Sequence, residues 1–278
     1  MSSESPNEPL ALIAGSSQMP LLVAQEARQA GRRVVAAAIH GITDPALEAR
    51  VDAISWLRWG DLPAFMSVLD GWRQDGIGDA IMAGKVEQQR MYERDDEGGM
   101  EAMLSSLPSG HTDQLLGAVA NVLESSGIRL LPSTHYLRSL MPLPGWTAGR
   151  PLTATEEADV RHGWRIAKAL GEHDIGQTVV VKEKAVVAVE GMEGTDACIR
   201  RAGGLSGPGS VVVKVAKPDQ DLRFDVPVVG IGTLETMHAA GARALALEAD
   251  MTVLFDRTRV EELARKFDIA MFARTDDA

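Results

Sequence analysis

The chain has 278 residues, 45% of them apolar, and a formal net charge of −11. That length predicts one large domain or two ordinary ones, the apolar share is enough to bury a core, and the acidic balance argues against general nucleic-acid binding and against docking on anionic lipid by charge alone. One cysteine, Cys198, excludes an internal disulfide and a four-cysteine zinc site and fits a reducing, cytoplasmic setting.

The opening MSSESPNEP has neither the basic nor the apolar region of a secretory signal. No apolar run reaches the roughly 18 residues of a membrane span. In chain order, LALIA (residues 10–14) predicts a strand, and Gly15, Ser16 and Ser17 a turn into a helix over MPLLVAQEARQA, where Pro20 suits the first turn. RRVVAAAI (32–39) reads as a strand, DLPAFMSVLDGWRQD (61–75) as an amphipathic helix and DAIMAG (79–84) as a strand. HTDQLLGAVANVLESSG (111–127) reads as a helix ended by its glycine, before the strand IRLLP. This alternation predicts an α/β fold: a Rossmann-like N-terminal domain with a mostly parallel sheet. Ligands of such sheets bind beyond the carboxyl ends of the strands. That rule points to the loops at 15–18 and 84–88, with Gly15, Ser16, Gly84 and Lys85 as candidate substrate contacts.

MPLPGWTAGRPLTATEE has linker composition and sets the domains at 1–143 and 152–278. The second part opens with a helix capped near Thr153 or Thr155. QTVVVK, AVVAVE, VVVKVA, RALALE and TVLF read as strands, and TDACIRRAG, LETMHAAG and RVEELARKF as helices. The result is a second α/β domain, the C-terminal one.

Three stretches are candidates for chemistry. AGSSQMP reads either as an anion-binding turn at a helix N-terminus or as an ordinary strand-to-helix turn; it lacks the full G-x-G-x-x-G, and the chain has no phosphate-loop motif. EGMEGTDACIRR (190–201) reads either as a helix capped by Thr195 or Asp196, with acids favoured by the helix dipole, or as a polar rim meeting a ligand. In that stretch Glu190 and Glu193 leave a strand. KPDQDLRFDVP (217–227) carries the strongest signal. Val226 precedes a proline and is biased to extended geometry. If the whole stretch is extended, Leu222, Phe224 and Val226 face a core, while Asp221, Arg223 and Asp225 face the other way, roughly 6.6 Å apart. Carboxylates beside Lys214, Lys217 and Arg223 suit a hard cation holding a phosphate. They suit equally an edge strand whose charges pair across its solvent face. Cys198 lacks a matched histidine for a nucleophilic role, His40 at a strand end reads as structural, and Trp56 and Trp59 are compatible with an interface without requiring one.

DIGQTVVV, AVEGMEGTDACIRRA and VVVKVAKPDQDLRFDVPVVGIGT resemble the LpxI family, whose pattern is roughly D-x-G-Q, then A-V-E-x-x-E-G-T-D-A-x-x-R-R, then K-x-x-K-P-x-Q-[DE]-x-R-x-D-x-P-x-x-G. The likeness runs over nearly the whole second half, and the first half agrees in layout. The chain departs from the pattern at Ser17, where the family usually has a second glycine in its first turn. It departs again at Gly84-Lys85-Val86-Glu87-Gln88-Gln89, in place of G-[KN]-V-x-R-P, and at Thr112-Asp113-Gln114-Leu115-Leu116, in place of D-D-x-L-L.

The resemblance implies a Mg²⁺-dependent pyrophosphatase of lipid A biosynthesis that cleaves UDP-2,3-diacylglucosamine to 2,3-diacylglucosamine 1-phosphate (lipid X) and UMP. It implies a homodimer, a diacylated substrate enclosed by two domains, and transient contact with the inner face of the cytoplasmic membrane. The aspartate of R-x-D-x-P, here Asp225, is implied to be catalytic. Asp225 and Asp221 are the expected metal-linked carboxylates. Gln220 is expected nearby, with Lys214, Lys217 and Arg223 offsetting phosphate charge. Glu193, Thr195 and Asp196 form the expected facing rim, and Thr233 completes the substrate contacts. The rival readings are a nucleotide-sugar pyrophosphatase of other specificity and a non-catalytic nucleotide- or lipid-binding protein. A calcineurin-like phosphoesterase fails for want of D-x-H and G-N-H-[DE] stretches.

Overall fold

The computed structural model describes residues 8–85 and 112–276. The chain forms two compact units, Met1–Leu137 with Asp221–Asp225, and Arg138–Gln220 with Val226–Ala278. The division falls earlier than the proline-rich linker, and the centre of the charged motif groups with the first unit, not with the C-terminal domain where its sequence position placed it.

The first unit is built on five parallel strands in the order β3-β2-β1-β4-β5: β1 Pro9–Ala14, β2 Arg33–Ile39, β3 Ala53–Leu57, β4 Asp79–Ala83 and β5 Arg129–Leu131. The connections carry α1 (Met19–Gln29), a short 3₁₀ helix (Pro45–Arg50), α2 (Leu62–Gln74) and α3 (Thr112–Ser125). β1 lies between β2 and β4, in register Leu10 with Val34 and with Asp79. The chain therefore reverses its winding between β1 and β4, the place where doubly wound sheets open a crevice. β1, β2 and β4 are almost wholly buried, which is why their sequences are continuous apolar runs rather than alternations. β3 was not foreseen. It is an edge strand, half-buried, and its AISWL lacks a clear period. Beneath the sheet, buried Asp79 accepts from Arg32 at 3.2 Å and from Arg129 at 3.0 Å, and Arg32 also donates to Tyr136. Asp79 thus supplies the counter-charge that Arg32 requires in the interior.

The second unit holds a six-stranded mixed sheet in the order β6-β13-β11-β9-β7-β8: β6 Thr147–Ala148, β7 Thr178–Lys182, β8 Ala185–Val189, β9 Val211–Lys214, β11 Ala244–Glu248 and β13 Ala270–Arg274. β9, β11 and β13 run parallel, while β7 is antiparallel to both its neighbours. Successive valines face opposite ways. Val179, Val181, Val211 and Val213 pack against α4 (Ala154–Glu172), whereas Val180 and Val212 join the core under α5 (Thr195–Ser206), α6 (Ile231–Ala240) and α7 (Arg257–Lys266). α4 starts where the TATEE signal placed it. Thr153 and Glu156 exchange hydrogen bonds in a capping box. The TVLF run is corrected. Only β12 (Val253–Leu254) forms there, paired with β10 (Val228–Val229) in a separate small sheet. No helix among the described residues is long and apolar enough to cross a membrane.

Candidate functional site

In the first unit the turns that leave β1 and β4 are tied together. Ser16 N donates to Lys85 O at 2.9 Å, Lys85 N to Ser16 O at 3.1 Å, and Gly15 N to Ala83 O at 2.8 Å. Both predicted glycines are needed for this approach. A Cβ on Gly15 would sit 2.7 Å from Lys85 O, and one on Gly84, where φ is +101°, 2.4 Å from Ser16 O. The N–H groups of Gly15 and Ser16 are thus committed to the neighbouring strand end. Gly15, Ser16, Gly84 and Lys85 do come together, as expected. Residues 86–88 of the second loop lie outside the described residues, as does His111.

Beside this junction a cleft of about 160 Å³ opens over the strand ends, lined mainly by Ile13, Leu57, Trp59, Phe65, Met82 and Phe224. Its walls are apolar. They suit a hydrocarbon or an aromatic base and do not suit a bare phosphate. Trp59 belongs to this wall, and His40 stacks on Trp56 with ring centres 5.3 Å apart.

Phe224 reaches the cleft because residues 221–225 are a turn, which corrects the extended reading. Asp221 Oδ1 accepts from Arg223 N at 3.0 Å, and Asp221 O accepts from Phe224 N at 3.1 Å and Asp225 N at 3.4 Å. An aspartate binding the backbone two residues on is a standard turn-former. Arg223 closes the turn with Nε and Nη2 on both Asp221 oxygens, reaches Glu124 through Nη1 at 2.9 Å, and lies over the Phe224 ring. Leu222 O accepts from both N and Oγ of Ser133, at 2.7 and 2.9 Å. The Arg223 hydrogen bonds hold the Asp221 carboxyl below its usual range, against a smaller upward push from burial. Asp221, Arg223 and Asp225 therefore do not form one charged strand face. Two of them pair with each other, and Asp225, partly buried, ends the turn.

In the second unit four side chains meet where β7 begins and β8 and β9 end. Lys214 Nζ donates to Thr195 Oγ1 at 2.7 Å and, more distantly, to Thr178 Oγ1 at 3.5 Å. Thr195 Oγ1 donates to Glu190 Oε1 at 2.8 Å. Burial pushes the Glu190 carboxyl up, but the charge of Lys214 and the bonds from Thr178 and Thr195 outweigh it and leave it below its ordinary value. Thr195 was expected as a possible helix cap. The cap position falls instead to Gly194, at φ +80°, which frees the Thr195 hydroxyl for Glu190. Lys217 pairs with Asp174 and its N–H donates to Gln220 Oε1 at 3.1 Å. Glu193 pairs with Arg201, and Asp196 sits in the first turn of α5. Thr233 is buried in the first turn of α6. Burial raises the thiol of Cys198 to about 12, so it stays protonated. Sequence reasoning quoted Asp174, Thr178 and Glu190 within the DIGQTVVV and AVEGMEGTDACIRRA stretches but did not single them out as site residues. The available signal was a carboxylate directly after an apolar strand and five residues before a threonine.

Among known proteins, the model of the LpxI N-terminal domain matches residues 9–140 and that of the LpxI C-terminal domain matches residues 144–272. The chain belongs to the LpxI family.

The LpxI protein of Caulobacter vibrioides, named UDP-2,3-diacylglucosamine pyrophosphatase, is 29% identical over 275 residues, which is 95% of each chain. Two solved biotin carboxylases align far more distantly. That of the Hydrogenobacter thermophilus 2-oxoglutarate carboxylase is 13% identical over 73% of this chain and 42% of its own, with a TM-score of 0.29. That of Campylobacter jejuni is 10% identical over 71% and 42%, with a TM-score of 0.28. The chain spans less than half the length of either carboxylase.

Against the LpxI pattern, the departure at Ser17 has a visible consequence. The residue holds φ +80°, a region that glycine enters freely and serine does not. Ser17 Oγ accepts from Met19 N at 3.3 Å, which offsets part of the strain. As a magnesium site, the LpxI carboxylates divide. Among the described residues no three His, Cys, Asp or Glu side chains converge as a cage. A single carboxylate such as Asp225 would suit Mg²⁺ only together with a substrate's phosphates and water, since that ion is usually held by one or two carboxylates and substrate phosphates.

Proposed function

We propose that this chain hydrolyses the pyrophosphate bond of UDP-2,3-diacylglucosamine, giving 2,3-diacylglucosamine 1-phosphate and UMP, as a step of lipid A biosynthesis. The observation that carries this is the end-to-end match: both family domains lie in order along the chain, and a named pyrophosphatase aligns with 95% of it.

The side chains supply parts that this reaction needs. A diphosphate repels nucleophiles because it is densely negative. Magnesium, when bound, neutralises that charge and acidifies a coordinated water. Asp225 is the metal-linked carboxylate in this reading and orients the attacking water or takes its proton. Asp221 would join it as a metal ligand in competition with Arg223, whose guanidinium holds both its oxygens. Lys214 and Lys217 are the cations that oppose phosphate charge, and fixed charges of that kind act most strongly where water is excluded. Gln220, through Lys217 N, holds the turn ahead of Asp221. Glu193, Thr195, Asp196 and Thr233 are the polar rim for the sugar and phosphates. The apolar cleft of the first unit, with Phe224 in its wall, takes the hydrocarbon or base end of the substrate. Gly15 and Gly84 line that cleft, and Ser16 and Lys85 are bridged beside it as further substrate contacts in this reading. The same reading includes a homodimer, which sedimentation would test, and a passing contact with the inner face of the cytoplasmic membrane, which vesicle co-flotation would test.

The test is direct. Purified chain is incubated with UDP-2,3-diacylglucosamine and Mg²⁺ in ¹⁸O-labelled water, with parallel samples containing EDTA or UDP-GlcNAc as the substrate. The expected result is UMP and the lipid 1-phosphate, with label in one product, none of it in EDTA, and little from UDP-GlcNAc. Equal cleavage of UDP-GlcNAc would overturn the substrate assignment. Binding without cleavage would overturn the enzymatic one.

A further inference from the structure

One partly buried carboxylate outside the proposed machinery is linked through a threonine hydroxyl to a cation within it. Glu190 follows β8 directly and is linked to Lys214, at the end of β9, by Thr195, the first residue of α5. The ammonium of Lys214 only donates and the carboxylate of Glu190 only accepts. The hydroxyl between them therefore has one consistent orientation: it accepts from Lys214 at 2.7 Å and donates to Glu190 at 2.8 Å. Glu190 is fixed in turn by its backbone, since Glu190 N donates to Thr178 O at 2.8 Å, and Gln177 N lies 3.4 Å from its second oxygen. Lys214 itself is 6% exposed. An ammonium so placed is stable in its charged form only with a negative partner close by.

We propose that Glu190 is a positioning residue for the pyrophosphatase reaction, acting through Thr195 to fix both the orientation and the positive charge of Lys214. The inference rests on the pyrophosphatase reading above and on Lys214 as a phosphate-opposing cation.

Other charged and titratable groups around the cluster have partners of their own. Cys198 of α5 stays a thiol. Arg201 of the same helix is held by Glu193 and by Val189 O. Glu248, on the strand next to β9, has its carboxylate bound by Lys168 of α4 at 2.7 Å and by Ala216 N at 2.7 Å. Lys217 is paired with Asp174. Glu190 has a hydrogen-bonded path, through Thr195, that ends on Lys214.

The experiment compares wild type, Glu190→Gln and Glu190→Asp in steady-state hydrolysis of UDP-2,3-diacylglucosamine across pH, with thermal melting of each. In E190Q the buried ammonium loses its counter-charge, so Lys214 gives up its proton at lower pH. The expected result is kcat/KM lower by about 10²-fold and an alkaline limb of the pH–rate profile displaced to lower pH. E190D keeps the charge at shorter reach. It should leave the limb where wild type has it while lowering kcat. A wild-type rate and profile in E190Q, or a lowered rate with an undisplaced limb, overturns the inference. Should E190Q fail to fold, E190D decides alone: a displaced limb or an unchanged kcat overturns it. An inactive wild-type chain is a different outcome, and it overturns the pyrophosphatase reading together with this one.

Discussion

Arg223 clamps Asp221 two residues before it: Nε lies 3.0 and 3.1 Å from the two carboxylate oxygens, Nη2 lies 2.8 Å from one of them, and the Arg223 N–H adds a bond of 3.0 Å. The pair turns the chain, and the turn delivers Phe224 to the apolar cleft and leaves Asp225 at its end. Position, more than stability, is what the clamp supplies, because both side chains are more than a third exposed and such pairs are worth at most about 1 kcal/mol.

Arg223→Met should therefore reduce hydrolysis more than it reduces stability. The stability loss is at most about 1 kcal/mol near neutral pH. Its pH dependence follows from the lowered Asp221 carboxyl. A depressed carboxylate stabilises the fold fully above its unfolded-state value and loses that contribution as pH falls through its folded value. Urea melts should show the difference between wild type and R223M near neutrality and show it vanish in strong acid. A difference that grows on acidification would contradict the clamp.

That turn also marks the limit of what the sequence discloses. The buried strands were legible because β1, β2, β7, β9 and β11 are apolar on both faces. α4 was legible because Thr153 and Glu156 stand three apart ahead of an apolar stripe. β3 and β13 were not, since AISWL and AMFAR are short and partly exposed. At 221–226 the alternation of charged and apolar residues suggested a strand. A local rule prevailed, because an aspartate captures the N–H two residues on. The network of Lys214, Thr195 and Glu190 joins residues up to 24 positions apart, so only the pairing of β7 with β8 and β9 brings it together.

Gly84→Ala should destabilise the first unit. Its Cβ would lie 2.4 Å from Ser16 O, at a φ of +101°. Strain of that kind costs about 1–3 kcal/mol, and the contact is with backbone, which cannot swing aside. Chemical denaturation of the purified variant measures the loss. Stability equal to wild type would show that the two turns part without cost.

Ser17→Gly should act in the opposite direction. Relieving a serine from φ +80° contributes roughly 1 kcal/mol, less the part returned with the Ser17 bond from Met19 N. A modest rise in melting temperature with unchanged hydrolysis is expected. A fall would mean that the hydroxyl contributes more than the strain.

The most direct test concerns Asp225. Asp225→Ala should lose about 10³-fold or more in kcat for UDP-2,3-diacylglucosamine, since it removes the carboxylate that orients water and metal. Its melting temperature and its affinity for the uncleaved substrate should stay close to those of wild type. Wild-type turnover by D225A, measured as UMP released in the presence of Mg²⁺, would contradict the account.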